Sequence, residues 1–453
     1  MNIKLRLSAL CLLLALLLSG SSVLYAQSPE ELRARRAAVM ETMEPNSILI
    51  LRSAEPNGGS EQYRQDNNFY YLTGIMEEDS HLILRKGGQG RPQMRGSRGS
   101  SEVLFIRAGG YSDWDPETLG LEGAKEKLGF ENVLESSEFD DYLGTQLLGG
   151  LDVVYIDYNR SRSIQGPLTA DEQLFKEARD RGATFTLNSS SGIINPKRRI
   201  KSSYEIEELR MAINITAEAH KEAMRSTEPG MFEYQTQAVI EYVYALNGAV
   251  RPGFSSIVGS GPNSVILHWS ENSRKMESGD LIVIDIGAEY HMYTGDITRT
   301  IPVNGKFTPH QREIYEIVLE ANESAIEMIA PGVNWSDVTE KANQILSDGL
   351  IRVGLIENRN ELRTYYFHGL GHPIGLQVHD VGGTGILEPG MIMTIEPGLY
   401  IREEGLGVRI EDDVLVTETG YEVLSVNAPK KIEDVERIMS EKGLDFSRYL
   451  INK

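Results

Sequence analysis

Leu281-Ile-Val-Ile-Asp-Ile-Gly287 and Gly295-Asp-Ile-Thr-Arg-Thr300 are two short runs rich in β-branched residues, separated by seven positions. Such runs favour extended backbone, and the intervening Ala288 to Thr294, with Tyr290 and His291 at its centre, predicts a hairpin. The hairpin sets Asp285 and Asp296 side by side. The device recurs downstream. Met391-Ile-Met-Thr-Ile-Glu-Pro397 leads up, Glu403 to Gly407 turns, and Val408-Arg-Ile-Glu-Asp-Asp-Val414 leads back, so that Glu396 faces Glu411. His379 follows His268 by 111 positions and Glu396 follows Asp285 by 111, an equal offset that reads as an internal repeat.

Helical signals flank both hairpins. Ser202 with Glu205 forms a capping box ahead of Ile206, Leu209, Ile213 and Ala217, and a second helix runs from about Phe232 to Leu246 before Asn247-Gly248. Thr308-Pro-His-Gln311 opens a third, with Ile314, Ile317, Val318 and Ala321 inward and Pro331-Gly332 as its stop. Ser336 is expected to cap the fourth, which carries Val338, Ala342 and Ile345. A helix pair followed by a hairpin, twice over, predicts a pseudo-symmetric α+β domain with its charged centre between the halves. Upstream, the strand-like runs 48–51, 81–84, 102–106 and 152–156 alternate with helical stretches 30–43 and 170–181, predicting a smaller α/β domain. The boundary is placed near Asn195-Pro-Lys-Arg-Arg199, giving domains of 27–197 and 198–453.

Four carboxylates in apolar surroundings cannot stay ionised unaided, because burying each without a partner costs several kcal/mol or forces protonation. Divalent cations resolve the conflict. Between the hairpins, Phe367-His-Gly-Leu-Gly-His-Pro-Ile-Gly-Leu-Gln-Val-His-Asp380 holds three of the chain's eight histidines. Gly369, Gly371 and Pro373 rule against a regular helix there, so the imidazoles are aimed one by one from loop and strand edge. Acidic residues also flank turns for structural reasons, and a lone histidine such as His268 is more often a core residue. The apolar flanks and the equal offset favour a site. Asp380, Asp412 and Asp413 extend the acidic cluster, but strand parity turns Asp412 away from Glu411, and all three read as supporting residues. Phe254, Trp269 and Tyr400 either shape a pocket or belong to the core.

From Lys201 to Met439 the chain resembles the pita-bread (creatinase/aminopeptidase-like) metallopeptidases, and within them aminopeptidase P. The resemblance is carried by Ile266-Leu-His-Trp-Ser-Glu-Asn272, Gly295-Asp-Ile-Thr-Arg-Thr-Ile-Pro-Val-Asn-Gly305, His368-Gly-Leu-Gly-His372, Val378-His-Asp-Val-Gly382, Thr394-Ile-Glu-Pro-Gly398 and Arg409-Ile-Glu-Asp-Asp413. Tyr63-Arg-Gln-Asp-Asn-Asn-Phe-Tyr-Tyr-Leu-Thr-Gly74 is similar to the same family's N-terminal domain. The resemblance implies five metal ligands, Asp285, Asp296, His372, Glu396 and Glu411, holding two divalent ions. It also implies that Glu396 shuttles a proton, that His268 and His379 line the carbonyl side, that His368 supports them, and that a proline follows the scissile bond. Oxygen-dominated donors suit Mn²⁺ best, with Co²⁺, Zn²⁺ or Mg²⁺ as alternatives, and a hydroxide held between the ions is the expected nucleophile. Arg409, two residues before Glu411 on the same strand face, is placed to hold ligating carboxylates by charge-assisted hydrogen bonds.

The implied activity is that of a Xaa-Pro aminopeptidase, acting on peptides with proline at the second position. A Xaa-Pro dipeptidase (prolidase) is the alternative, because the segments 382–387 and 402–407 are short. A non-catalytic binding module of the same fold is the third reading, disfavoured by the complete set of charged and imidazole groups. Two positions depart from the family pattern: Phe254 stands where a tyrosine supports a metal-bound aspartate, and Asn68 where an aspartate reaches a neighbouring subunit. The family resemblance implies a homo-oligomer, dimer or tetramer.

The first 26 residues carry Lys4 and Arg6, the apolar run Ala9 to Leu18, and Val23-Leu-Tyr-Ala26 ahead of Gln27, the pattern of a secretory signal peptide. The run is short of the ~20 apolar residues a spanning helix needs, so no stable membrane insertion is expected once it is removed. The single cysteine, Cys11, lies inside it, leaving a disulfide-free product compatible with a bacterial periplasm or the exterior. A formal net charge of −21 excludes nucleic acid as a general partner. The basic, Gly-rich stretch from Arg85 to Arg98 lies between two strand-like runs and reads as a solvated hairpin loop.

Overall fold

The computed structural model describes residues 27–55, 62–88, 99–109, 118–157, 168–383 and 385–445. The expected signal peptide with Cys11, and most of the basic Gly-rich stretch, lie outside the described residues. The chain divides into two compact units between Ser190 and Ser191. The helix Ser191–Arg198, within which the sequence reading set its boundary, therefore belongs to the second unit. Among the described residues, no helix is long and apolar enough to cross a membrane.

The first unit is built on a six-stranded mixed sheet. Its strands are β1 (Ser47–Arg52), β2 (His81–Lys86), β3 (Ser101–Ile106), β4 (Val133–Glu135), β5 (Val153–Ile156) and β6 (Thr186–Ser189), in spatial order β4-β3-β2-β1-β5-β6. β1, β2 and β3 pair antiparallel, while β4, β5 and β6 join in parallel. Ile48, Ile50 and Ile83 pack with Phe139, Leu143 and Phe175 from the helices Phe139–Leu148 and Ala170–Asp180. Leu49 and Leu51 point the other way and are equally buried, so the central strand is covered on both faces. Asn68 donates to Asp157 Oδ2 at 3.0 Å.

After the helix Ser191–Arg198 the second unit continues with the helices Ser203–Ser226 and Glu233–Leu246, the first of these two capped by the Ser202–Glu205 box. Short β7 (Arg251–Pro252) and β8 (Ile257–Ser260) lead to β9 (Leu281–Ile286) and β10 (Ala288–Tyr290), which fold back into β11 (Tyr293–Thr294) and β12 (Ile297–Pro302). The hairpin turns at His291 and Met292, whose φ values of 45° and 73° are the paired positive angles of a two-residue turn that matches strand twist. Helices Pro309–Ile326 and Trp335–Arg352 follow. The latter is capped by Asn334, whose side chain accepts from Ser336 N–H at 3.1 Å, so Ser336 lies inside the first turn rather than at the expected cap. The second hairpin comprises β13 (Ile392–Ile395), β14 (Gly398–Ile401), β15 (Leu406–Arg409) and β16 (Asp412–Val416), with β17 (Tyr421–Val423) beyond β16.

Both hairpins lay one face on helices and turn the other to a shared centre. Ile282, Ile284, Ile286 and Ile301 pack with Ile314 and Val318, and in the second half Met393, Ile395 and Val414 pack with Val338 and Ala342. The hairpins are joined by Arg299, fully buried on β12. It donates to Asp412 Oδ1 at 2.7 Å and to the carbonyls of Thr298, Glu411, Ala428 and Pro429. Removing the guanidinium leaves Asp412 with Lys430 as its one counter-charge and takes the donor from four carbonyls. Arg299→Met is therefore expected to destabilise the second unit by about 3–5 kcal/mol, read as a lower urea midpoint at unchanged slope.

Candidate metal centre

Strand register decides how the acidic groups meet. On the first hairpin Asp285 lies opposite Thr298, and Ile286 opposite Ile297, so the same register puts Asp296 across from Gly287. The two aspartates share a face but sit diagonally, staggered by two residues rather than side by side. Gly287 is required there: a Cβ would fall 1.9 Å from the Gly295 carbonyl oxygen. On the second hairpin Ile395 pairs Asp412 and Gly398 pairs Arg409, so Glu396 and Glu411 lie directly opposite one another.

The histidine-bearing loop is irregular, as its glycines predict. Gly371 lets it press against β13, since a Cβ would lie 2.0 Å from the Thr394 carbonyl oxygen. His372 N–H donates to Thr394 Oγ1 (3.0 Å) and its carbonyl accepts from Thr394 N–H (2.8 Å), which fixes the residue. Its Nδ1 lies 3.2 Å from the Pro373 carbonyl oxygen, which holds a proton on that nitrogen. Nε2 is left as a lone pair facing Asp296 Oδ2 at 3.5 Å and Glu396 Oε1 at 3.7 Å. Burial, together with the neighbouring His379, pulls the His372 pKa down to about 4, so the ring is neutral. Asp296, His372 and Glu411 each offer one ligand atom within 4.8 Å of the others. The His379 ring stands edge-on to His372, with centroids 4.2 Å apart. His368 places Nδ1 3.7 Å from Glu396 Oε2, and burial and the nearby Arg409 draw its pKa down to about 4. These groups line a cleft of about 750 Å³ whose apolar wall includes Phe254, Ile257, Leu267 and Val378, and which exposed His268 also borders.

Arg409 organises the floor. Its Nη2 donates to Asp285 Oδ2 at 2.6 Å, its Nη1 to Tyr400 at 3.0 Å, and its Nε to Thr298 Oγ1 at 3.2 Å. Thr298 in turn donates to Glu411 Oε2 at 2.7 Å, and Tyr400 bonds His368 Nε2 at 2.9 Å. Thr298 is a site residue that the sequence motifs do not single out, and Tyr400, expected in pocket or core, bonds both Arg409 and His368. The signal for Thr298 was its place two residues after Asp296, hence on the same strand face. Asp412 turns away from the cleft to Arg299 and Lys430. Asp413 accepts the Asp296 N–H at 3.1 Å. Asp380 is clamped by Arg198 (2.5 Å) and Lys201 (3.3 Å) beneath the loop. Trp269 does not line the cleft; its indole N–H is taken by Glu233 at 2.9 Å.

Residues 207–418 match the model of metallopeptidase family M24, and residues 32–155 that of the aminopeptidase P N-terminal domain. The chain is 40% identical to the Xaa-Pro aminopeptidase of Escherichia coli (strain K12), over 91% of this chain and 98% of that protein. It is 37% identical to the Xaa-Pro aminopeptidase of Haemophilus influenzae, over 91% and 97% respectively. The chain belongs to metallopeptidase family M24. The solved structure of aminopeptidase P from E. coli with the inhibitor Pro-Leu superposes with a TM-score of 0.81 at 38% identity, covering 91% of this chain and 98% of that one. A Xaa-Pro dipeptidase of Pongo abelii is similar at 29% identity, over 88% of this chain and 90% of that protein. The expected fold, an aminopeptidase P-type N-terminal domain followed by a pita-bread domain, is thereby borne out.

Membership of M24 implies divalent metal ions, and the donor chemistry of this cluster fits them. Asp285 Oδ1 is buried without a hydrogen-bond partner. Burial, then repulsion from Glu411 and Asp285, raises Asp296 well above the usual carboxylate range, and burial with Glu396 and Asp285 does the same to Glu411. Burial pushes Glu396 up to about 8, against the opposing pull of Arg409. Without ions the folded protein therefore binds protons that the unfolded chain releases above about pH 4.5, which makes stability fall as pH rises toward 8. Buried His368 and His372 act in the opposite sense only below their ordinary value of 6.5. In chelator-treated protein, Tm is expected to drop between about pH 6.5 and pH 8, and added divalent metal to raise Tm more at pH 8 than at pH 6.5.

Proposed function

We propose that this chain is a metal-dependent Xaa-Pro aminopeptidase, releasing the N-terminal residue ahead of proline from peptides of three or more residues. The observation that carries the reading is its near full-length similarity to Xaa-Pro aminopeptidases together with an intact cluster of opposed carboxylates and one neutral imidazole at the cleft. Asp285, Asp296, His372, Glu396 and Glu411 would hold two divalent ions, and four carboxylates to one imidazole favour Mn²⁺. When bound, such ions polarise a peptide carbonyl and lower the pKa of water toward neutrality.

The side chains divide the remaining work. Glu396 lies within 3.7 Å of both His368 and His372, a place from which its carboxylate could carry a proton from the attacking water toward the departing amine. His268 and His379 border the cleft with ring nitrogens that can donate to the carbonyl oxygen as it gains charge. Arg409 keeps Asp285 and, through Thr298, Glu411 in orientation. The apolar wall of Phe254, Ile257 and Val378 suits a pyrrolidine ring. Export through a cleaved signal peptide to a periplasmic or extracellular location, and a homo-oligomeric state, complete the proposal.

Chelator-stripped protein given Mn²⁺ is expected to release Ala from Ala-Pro-Ala and leave Pro-Ala intact, followed by mass spectrometry. Cleavage of Ala-Pro alone would transfer the assignment to a Xaa-Pro dipeptidase. Glu396→Gln is expected to lower kcat by about 10²–10⁴-fold with a far smaller change in KM. Exported protein is expected to begin at Gln27, read by N-terminal sequencing; an intact Met1 on the exported chain would remove the signal-peptide assignment.

A further inference from the structure

His268 stands on a stretch with little apolar anchorage of its own. Ile266, His268, Ser270 and Glu271 are exposed, and between the end of β8 and Met276 the deeply buried side chains are the small Ser264 and the polar Asn272. Two polar groups, both tied to the helix Glu233–Leu246, hold the stretch instead. The larger is Glu233, which is fully buried. Its Oε1 accepts from Ser260 N–H (2.7 Å), Ser260 O–H (2.7 Å) and the Asn263 amide (3.0 Å). Its Oε2 accepts from the Trp269 indole (2.9 Å) and Arg274 N–H (3.0 Å), with the Asn263 amide again at 3.3 Å. None of these donors belongs to the helix that carries Glu233. The carboxylate thus serves the loop, taking donors from its beginning, middle and end, and the indole it fixes is the immediate neighbour of His268.

The second anchor is Asn272, 1% exposed and held at a left-handed φ of 46°. Its Oδ1 accepts from Val258 N–H (3.0 Å) and its amide donates to Ser256 O and to Gln237 Oε1, both at 2.8 Å. Gln237 lies one turn after Glu233 on the same helix. A buried carboxylate is costly unless its lone pairs are filled, and here both oxygens are saturated by donors that would otherwise be unpaired. An apolar side chain could fill the volume but could not hold the loop.

We propose that Glu233 is a positioning residue for His268, fixing the exposed imidazole over the cleft through Trp269 and the two ends of the loop. The proposal rests on the peptidase reading, which gives His268 a carbonyl to meet. Glu233→Gln tests it with little change of volume, because an amide in either orientation turns its NH₂ toward one of the two sets of donors. In metal-loaded protein on Ala-Pro-Ala, kcat is expected to fall about 10- to 100-fold, KM to change less than about twofold, and the substitution to cost less than about twofold when made in His268→Ala. In metal-free protein, amide exchange is expected to quicken over residues 259–275 and nowhere else in the second unit. Trp269→Phe, which deletes one donor, is expected to act in the same direction more weakly, and decides the matter if Glu233→Gln does not fold. Multiplicative losses in the double variant, an unchanged kcat, or faster exchange throughout the unit would overturn the positioning role while leaving the peptidase reading intact. Wild-type protein that cleaves no peptide would overturn both.

Discussion

Like charge confined in a poorly solvated centre is the constraint from which the rest of the second unit follows. Asp285, Asp296, Glu396 and Glu411 converge where burial and mutual repulsion push Asp296, Glu396 and Glu411 toward the protonated form. Arg409 reaches Asp285 directly and Glu411 only through Thr298, so a single guanidinium offsets part of the repulsion. The unfilled Asp285 Oδ1 and the lone pair of a neutral His372 complete a surface on which acceptors outnumber the donors that Arg409 and Thr298 supply. Such a surface is stabilised by cations or, in their absence, by protons.

The scaffold keeps that surface from relaxing. Each hairpin has apolar residues on one face, packed on helices, and charged residues on the other; a one-residue slip would exchange the faces. Close backbone approaches at Gly287 and Gly371 leave no room for a side chain, which locks the registers on which carboxylate spacing depends. Arg299 then joins the two hairpins from behind by binding Asp412 and four carbonyls. Charge on the helix-facing side is fully paired, whereas charge on the cleft side is deliberately underpaired. That asymmetry separates Asp412, paired with Arg299 and Lys430, from the cleft-side acids, although it adjoins Glu411 in sequence.

Much of this was legible from residue order. Strand parity separated Asp412 from Glu411, glycine and proline spacing gave the irregular histidine loop, and β-branched runs gave the hairpins. Other features depended on partners remote in the chain. The diagonal placement of Asp285 and Asp296 follows from a register centred on the His291-Met292 turn, one position beyond the pair at which the turn was expected. Asn334 displaced Ser336 as a cap because both are capping residue types and only backbone geometry chooses between them. Trp269 left the pocket wall because a carboxylate 36 residues earlier takes its indole N–H.

Sequence alone therefore determined the α+β class, the repeated hairpin and the identity of the acidic and imidazole groups, because periodicity and residue chemistry are local properties. Tertiary structure decided which of those groups share a cleft, which are neutralised by Arg198, Arg299 or Lys201, and how Glu233 holds the loop of His268. Those outcomes depend on distances of a few ångströms between segments up to 182 residues apart. At such range electrostatic and hydrogen-bond energies change steeply with position, and only the packed chain sets position.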